Sequence, residues 1–165
     1  MSEYYFELTK SFSFLNKVKE YLDLDLDINW HRNYYDIDVT PIPVNILKDD
    51  IIFKTLSLKF EIIPLVVRFD AKKWYTWHTD KIRNVGLNSV IQGKESHVIF
   101  GKLSTNGQYF DIEEIIYEDN KTYLLDVSKS HSIVNLGEPR IIISLGFPQP
   151  IMFNEVKEFC IENNL

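Results

Sequence analysis

Between residues 58 and 147 the chain repeats one texture. "LKFEIIPLVVRFD", "KWYTWH", "NVGLNSVIQG", "SHVIFGKL", "DIEEIIYED", "KTYLLDV", "HSIVNL" and "RIIISLGF" follow one another, each short and rich in β-branched or aromatic residues. Turn formers separate several of them: Gly93-Lys94, Asn106-Gly107, Asp119-Asn120 and Gly137-Glu138-Pro139. Seven or eight short strands joined by tight connections fold as a sandwich or a barrel. A jelly roll fits this order best. An immunoglobulin-like sandwich fits less well, because the paired core cysteines are missing.

The ends of the chain read differently. "KSFSFLNKVKEYLDL" spaces Phe12, Leu15, Val18 and Leu22 for one amphipathic helix over residues 10–22. "NEVKEFCIENNL" puts Val156, Phe159 and Cys160 on one face of a second helix. "DLDLDINWHRNYYDID" alternates acid and apolar residues, as a short strand or extended edge does, and its acids read as a solvated face. In "TPIPVNILKD", Pro41 and Pro43 argue for a loop. The expected architecture is therefore mainly β, a jelly roll flanked by N- and C-terminal helices. No repeat, linker or low-complexity tract divides residues 1–165, so they read as one domain.

Bulk composition narrows the function. Hydrophobic residues make up 45% of the 165 and aromatics 14%, enough for a substantial core. The net charge of −6 and the lack of a basic block argue against nucleic acid or an anionic membrane as the main partner. The lone Cys160 has no partner for an internal disulfide and reads as packing, which suits a reducing compartment. With no leader and no apolar run of spanning length, a cytoplasmic protein is expected.

The polar residues that interrupt the strands are more specific. "WYTWHTD" holds His78 and Asp80 two residues apart, on one side of an extended chain. Alone, this is either half of a metal site or a polar turn after an aromatic strand, since a His-x-Asp triplet is a common accident. His131 then opens an apolar strand, and the strands between are enough to cross a jelly roll and return. Two histidines and one carboxylate on one face form the ligand set of non-haem Fe(II) sites with open positions. Arg140 opens the next strand after the short turn "NLGEP", and shares a face with Ile142 and Ser144. A guanidinium buried there requires an anionic partner; facing outward, it would meet solvent or Glu138.

Several neighbours carry two readings. Arg83 either binds a carboxylate or braces the loop through Asp80 or Asp126. Asn88 either points into the pocket or ends a strand. Asn135 orients a ligand or the loop before Arg140. Trp74 and Trp77 read as core before they read as substrate contacts. His97 reads as a strand-end histidine and His31 as structural.

"WHTDKIRNVGLN" and "LLDVSKSHSIVNLGEPRIIISLGF" resemble the 2-oxoglutarate/Fe(II)-dependent oxygenases, on the branch of the aspartyl/asparaginyl β-hydroxylases. The resemblance spans residues 64–147. It implies a double-stranded β-helix, which is a cupin-like jelly roll. It implies Fe(II) held by His78, Asp80 and His131, and 2-oxoglutarate bound by Arg140 with Ser144, Arg83 and Asn88 nearby. The reaction implied is hydroxylation of an amino-acid or peptide side chain, with a small molecule or peptide as substrate. The chain departs from the family in two places. It has Arg-Ile-Ile-Ile-Ser where many members have Arg-x-Ser, and it keeps Asp80, the carboxylate that eukaryotic aspartyl β-hydroxylases lack. A cupin-like module that binds a metal or a small acid without turnover, or a jelly roll that serves only interaction, would also fit the residues.

Overall fold

A computed structural model describes residues 2–24, 28–33, 36–93, 95–148 and 150–165. The eight expected strands are all present as β4 (Ile63–Phe69), β5 (Lys73–His78), β6 (Arg83–Gln92), β7 (Ser96–Leu103), β8 (Tyr109–Ile116), β9 (Tyr123–Asp126), β10 (His131–Asn135) and β11 (Arg140–Pro148). Three short strands precede them: β1 (Tyr5–Glu7), β2 (His31–Arg32) and β3 (Asp38–Pro41). They form a seven-stranded sheet in the order β1-β9-β6-β11-β4-β3-β2 and a four-stranded sheet in the order β5-β10-β7-β8. Every recorded strand pair is antiparallel. Two such sheets face to face make the expected jelly roll.

β11 shows how sequence alternation builds two cores from one strand. Ile143, Leu145 and Phe147 point to one side, where they join Val85, Leu87, Leu47, Ile52, Leu56, Val156 and Cys160 under the helices. Ile142 points to the other side, between the sheets, with Val67, Phe69, Val98, Phe100, Leu125 and Ile133. The seven-stranded sheet is thus buried on both faces, which is why β11 reads as a nearly unbroken apolar run. Arg140 and Ser144 share the inter-sheet side with Ile142, as period two requires.

The helices differ in part from expectation. The first, α1 (Leu15–Leu24), starts later than residue 10. Before it, the Asp50 carboxylate accepts hydrogen bonds from the Ser13 backbone N–H at 2.7 Å and the Ser13 hydroxyl at 2.8 Å. Phe12 and Phe14 are both buried there, with ring centroids 4.8 Å apart. The segment read as a loop contains α2 (Val44–Leu47), a single turn that begins just after Pro43. Proline is excluded from a helix interior but suits its start. A further helix, α3 (Ile51–Ser57), was not legible as such; Asp50 caps it by accepting from Phe53 N–H at 2.9 Å. The last helix is α4 (Phe153–Glu162), with Val156 and Cys160 buried as expected and burial pushing the Cys160 thiol up to about 12.

The acidic segment was expected to expose its carboxylates. Residues 25–27 and 34–35 of it lie outside the described residues. Asp38 is buried instead, paired with Arg68 at 2.8 Å and Arg32 at 3.2 Å. Among the described residues no helix is long and apolar enough to cross a membrane.

Candidate metal centre and adjoining cavity

His78 ends β5 and His131 begins β10, and the two are direct partners across the ladder. The register slips next to them: Ile133 faces Tyr75, so β5 carries one extra residue between its paired positions. That bulge turns His78 inward, although it lies three residues from the inward-facing Tyr75. Asp80 is not on the strand. It sits in the loop before β6, with its N–H donating to the Val127 carbonyl at 3.0 Å. The side-by-side placement of His78 and Asp80 is therefore made by a bulge and a loop, and not by the two-residue period expected of a strand.

The three side chains converge. His78 Nε2 lies 3.8 Å and His131 Nε2 3.9 Å from the same oxygen, Asp80 Oδ1. One ligand atom of each residue falls within 4.8 Å of the other two. These gaps exceed hydrogen-bond length. They match two donors that share an ion at about 2.0–2.2 Å each. The histidine tautomers suit that role. Nδ1 of His78 is 2.7 Å from the Thr76 carbonyl and Nδ1 of His131 is 2.9 Å from the Lys129 carbonyl. A carbonyl only accepts, so each Nδ1 carries the proton and each Nε2 presents a lone pair. Burial, reinforced by the neighbouring His78, lowers the His131 pKa to about 4, which keeps that imidazole neutral.

These groups open onto a cavity of about 470 Å³ between the sheets, lined mainly by aliphatic side chains. Arg140, fully buried, lines the same cavity. Its guanidinium lies between two aromatic faces, 4.4 Å from the Tyr117 centroid and 4.8 Å from that of Phe69. Nη1 donates to Ser96 Oγ at 2.8 Å, while Nε has no partner among the described residues. Nor do the described residues provide a carboxylate within ion-pair distance of it. Burial pushes its pKa below the usual guanidinium range. Asn88 stands close by: its Nδ2 donates to Tyr117 Oη at 3.1 Å and its Oδ1 is an unpartnered buried acceptor among the described residues. A buried guanidinium whose Nε lacks a partner among the described residues is suited to pair with an anion that enters the cavity.

The remaining sequence candidates separate. Arg83 braces the loop that carries Asp80 through Asp80 Oδ2 at 2.7 Å, while the Asp126 carboxylate is taken by Ser128. Ser144 accepts from Arg83 Nη1 at 2.8 Å, and it is Ser96 that touches Arg140. Ser96 carried no motif signal beyond its place at the start of a strand. Asn135 Nδ2 donates to the carbonyls of Asp70 at 2.7 Å and Glu138 at 2.9 Å, tying down the loop before Arg140. Trp74 was expected in the core, yet it is 61% exposed on the outer face, bonded to Ser132 Oγ at 2.6 Å. Trp77 stacks on Tyr109 at 3.8 Å. Neither lines the cavity. His97 pairs with Glu114 at 2.8 Å, and His31 is exposed on β2.

No known protein-family profile matches the sequence, and no curated protein sequence does. Solved structures resemble its fold. A Trichoplax adhaerens prolyl hydroxylase, solved with a hypoxia inducible factor oxygen degradation domain peptide fragment, superposes with a TM-score of 0.64 over 89% of this chain and 84% of its own, at 10% identity. A Pseudomonas putida prolyl-4-hydroxylase gives 0.57 over 89% and 93%, also at 10% identity. A viral collagen prolyl hydroxylase from Paramecium Bursaria Chlorella virus-1, in its 2OG complex, gives 0.55 over 89% and 96%, at 11% identity. What these likenesses establish is the fold: this chain is a jelly roll of the kind that prolyl hydroxylases adopt.

Proposed function

We propose that the protein is a 2-oxoglutarate- and Fe(II)-dependent dioxygenase that hydroxylates an amino-acid or peptide side chain. One observation carries this reading. A single cavity is lined by a cluster of two imidazoles and a carboxylate and by a buried guanidinium that has no carboxylate partner among the described residues. A metal ion held by the cluster and the Arg140 guanidinium would together suit a dicarboxylate that reaches both.

The residues would divide the work as follows. His78, Asp80 and His131 would hold Fe(II) on one side and leave its other positions for ligands. Arg140 would pair with the far carboxylate of 2-oxoglutarate, positioned by Ser96 and sandwiched by Phe69 and Tyr117. Arg140 Nε, a donor with no partner among the described residues, is left to meet that carboxylate. Iron with bound cosubstrate would supply the oxidation: one atom of dioxygen enters 2-oxoglutarate, giving succinate and carbon dioxide, and the other enters a substrate C–H bond.

The wall around the metal cluster speaks to the substrate. Ile37, Val39, Ile63 and Ile82 line the cavity, and Ile63 and Ile82 are 42% and 78% exposed. Exposed aliphatic groups at an opening favour an uncharged, aliphatic reacting group over an acid. The peptide in the Trichoplax structure and the prolyl hydroxylase likenesses support this direction. They favour it over the acidic targets of the aspartyl β-hydroxylase branch that the motifs resemble. We read residues 1–165 as one catalytic domain, at work in the cytoplasm.

The test is an anaerobic titration of the metal-free protein with Fe(II), then with 2-oxoglutarate. A visible charge-transfer band that is present in the wild type and absent in His131→Ala is expected. Succinate should then form when oxygen is admitted. Bound iron with no band and no succinate would leave a metal-binding jelly roll without turnover. No iron binding would overturn the metal centre itself.

A further inference from the structure

Asp80 has two oxygens and lies in a loop, so nothing in its own backbone selects which oxygen meets a metal. Arg83 supplies the selection. Its Nε donates to Oδ2 at 2.7 Å, while Oδ1 is the oxygen facing both imidazoles. The other end of the guanidinium is fixed as well, with Nη1 donating to the fully buried Ser144 hydroxyl at 2.8 Å. We infer that Arg83 is a positioning residue: a strut from Ser144 on β11 that makes Asp80 a one-oxygen metal ligand. This rests on the metal centre proposed above.

The two sheet strands beneath the strut are cut back to make room for it. Gly86 on β6 and Gly146 on β11 are direct partners across the ladder. A Cβ on Gly146 would stand 3.3 Å from both Cδ and Nη1 of Arg83, and one on Gly86 3.5 Å from Nη1. Neither glycine has a positive φ that would require it. Their smallness has a different effect: the arginine lies flat across a side-chain-free floor and reaches both anchors at once. A two-point, charge-assisted contact of this kind needs the planar fork of arginine, which lysine does not have.

The consequence is chemical. A charge-assisted hydrogen bond to the second oxygen holds the carboxylate plane and draws charge from that oxygen, which disfavours chelation through both. One-oxygen ligation conserves a coordination position for cosubstrate or dioxygen. An ordinary surface ion pair would contribute little and would not affect the metal.

The test uses the whole 165-residue chain and Co(II) as the probe, read by calorimetry and by the visible d–d spectrum, which reports coordination number. Arg83→Gln is expected to weaken Co(II) binding about 10- to 100-fold, as loss of an outer-shell partner does. It should also change the d–d band shape, as Asp80 becomes able to bind through both oxygens. Arg83→Lys should not restore the wild-type spectrum. Gly146→Ala keeps every polar group and lifts Arg83, so a smaller loss in the same direction is expected. It also carries the test if Arg83→Gln fails to fold. The melting temperature of each metal-free variant reads its purely structural effect separately. Wild-type affinity and an unchanged spectrum in Arg83→Gln, or in Gly146→Ala should the former not fold, would overturn the strut while leaving the metal centre standing. Failure of the wild type to bind Co(II) would overturn both.

Discussion

His78 and His131 are paired residues on adjacent strands whose rings lie 4.3 Å apart between centroids, tilted by 53°. Burial, reinforced by the His78 ring beside it, makes His131 resist protonation.

A pH dependence follows for the metal-free protein. The His131 pKa is lowered from 6.5 to about 4, chiefly by burial. The unfolded chain therefore binds the proton more readily than the folded one. Stability from this residue is intact above pH 6.5, falls as the pH drops towards 4, and falls no further below it. The bound on the loss is about 3 kcal/mol. Urea unfolding of chelator-treated protein at pH 7 and pH 4.5 should show the loss, and His131→Gln should reduce the difference between the two. An equal difference in the variant would assign the acid sensitivity to other groups.

Arg140 should illustrate a conflict between stability and binding. A fully buried guanidinium with no carboxylate among the described residues costs folding energy, and an apolar replacement of similar shape recovers about 1–4 kcal/mol. Arg140→Met is expected to melt at a higher temperature than wild type without ligand. It should lose the further rise that 2-oxoglutarate gives the wild type, with affinity reduced at least about 30-fold. Metal binding should persist. A variant that still responds to 2-oxoglutarate would remove Arg140 from the cosubstrate site.

Gly93 controls the backbone behind Arg140. Its φ is +94°, and a Cβ on it would lie 2.7 Å from the Arg140 Cα. Gly93→Ala should destabilise the protein by more than about 1 kcal/mol and displace Arg140. Gly107 also has a positive φ, +83°, but open space around it. Gly107→Ala should therefore show only the backbone cost and keep 2-oxoglutarate binding. Equal effects in both variants, by denaturant unfolding and ligand titration, would refute the steric part of the argument.

Asp50 fastens the N-terminal segment to the helical layer. It is buried, caps α3 through Phe53 N–H, and accepts two hydrogen bonds from Ser13. Asp50→Ala should cost about 2 kcal/mol or more, since it removes a cap and leaves buried donors unmatched. Asp50→Asn should recover part of it. Chemical denaturation measures both, and a change under about 0.5 kcal/mol in Asp50→Ala would contradict the assignment.

Legibility in the sequence followed the range of the physics. The eight strands from Ile63 to Pro148 could be read because β-branched residues and turn glycines act locally. Cys160 could be read as packing for the same reason. The helix from Ile51 went unread although its Asp50 cap on Phe53 N–H is local; what lies beyond local range is the tie from Asp50 to Ser13. Trp74 misled because the bulge in β5 changes which residues face inward, and a bulge has no reliable signature in a single chain.

The candidate site divides along the same line. The sequence by itself determined the residue types and their order: His78, Asp80, His131 and Arg140 on a chain bound to form a jelly roll. Tertiary structure alone decided that three of them meet within 4.8 Å, and that Arg140 is buried with no carboxylate beside it among the described residues. It also decided that Ser96 attends Arg140 while Ser144 attends Arg83. Alternation along a strand is a property of neighbouring residues and is written in the sequence. Convergence is a property of strand pairing, sheet packing and one bulge, which bring together residues as far apart as Asp80 and His131 only once the whole chain is folded.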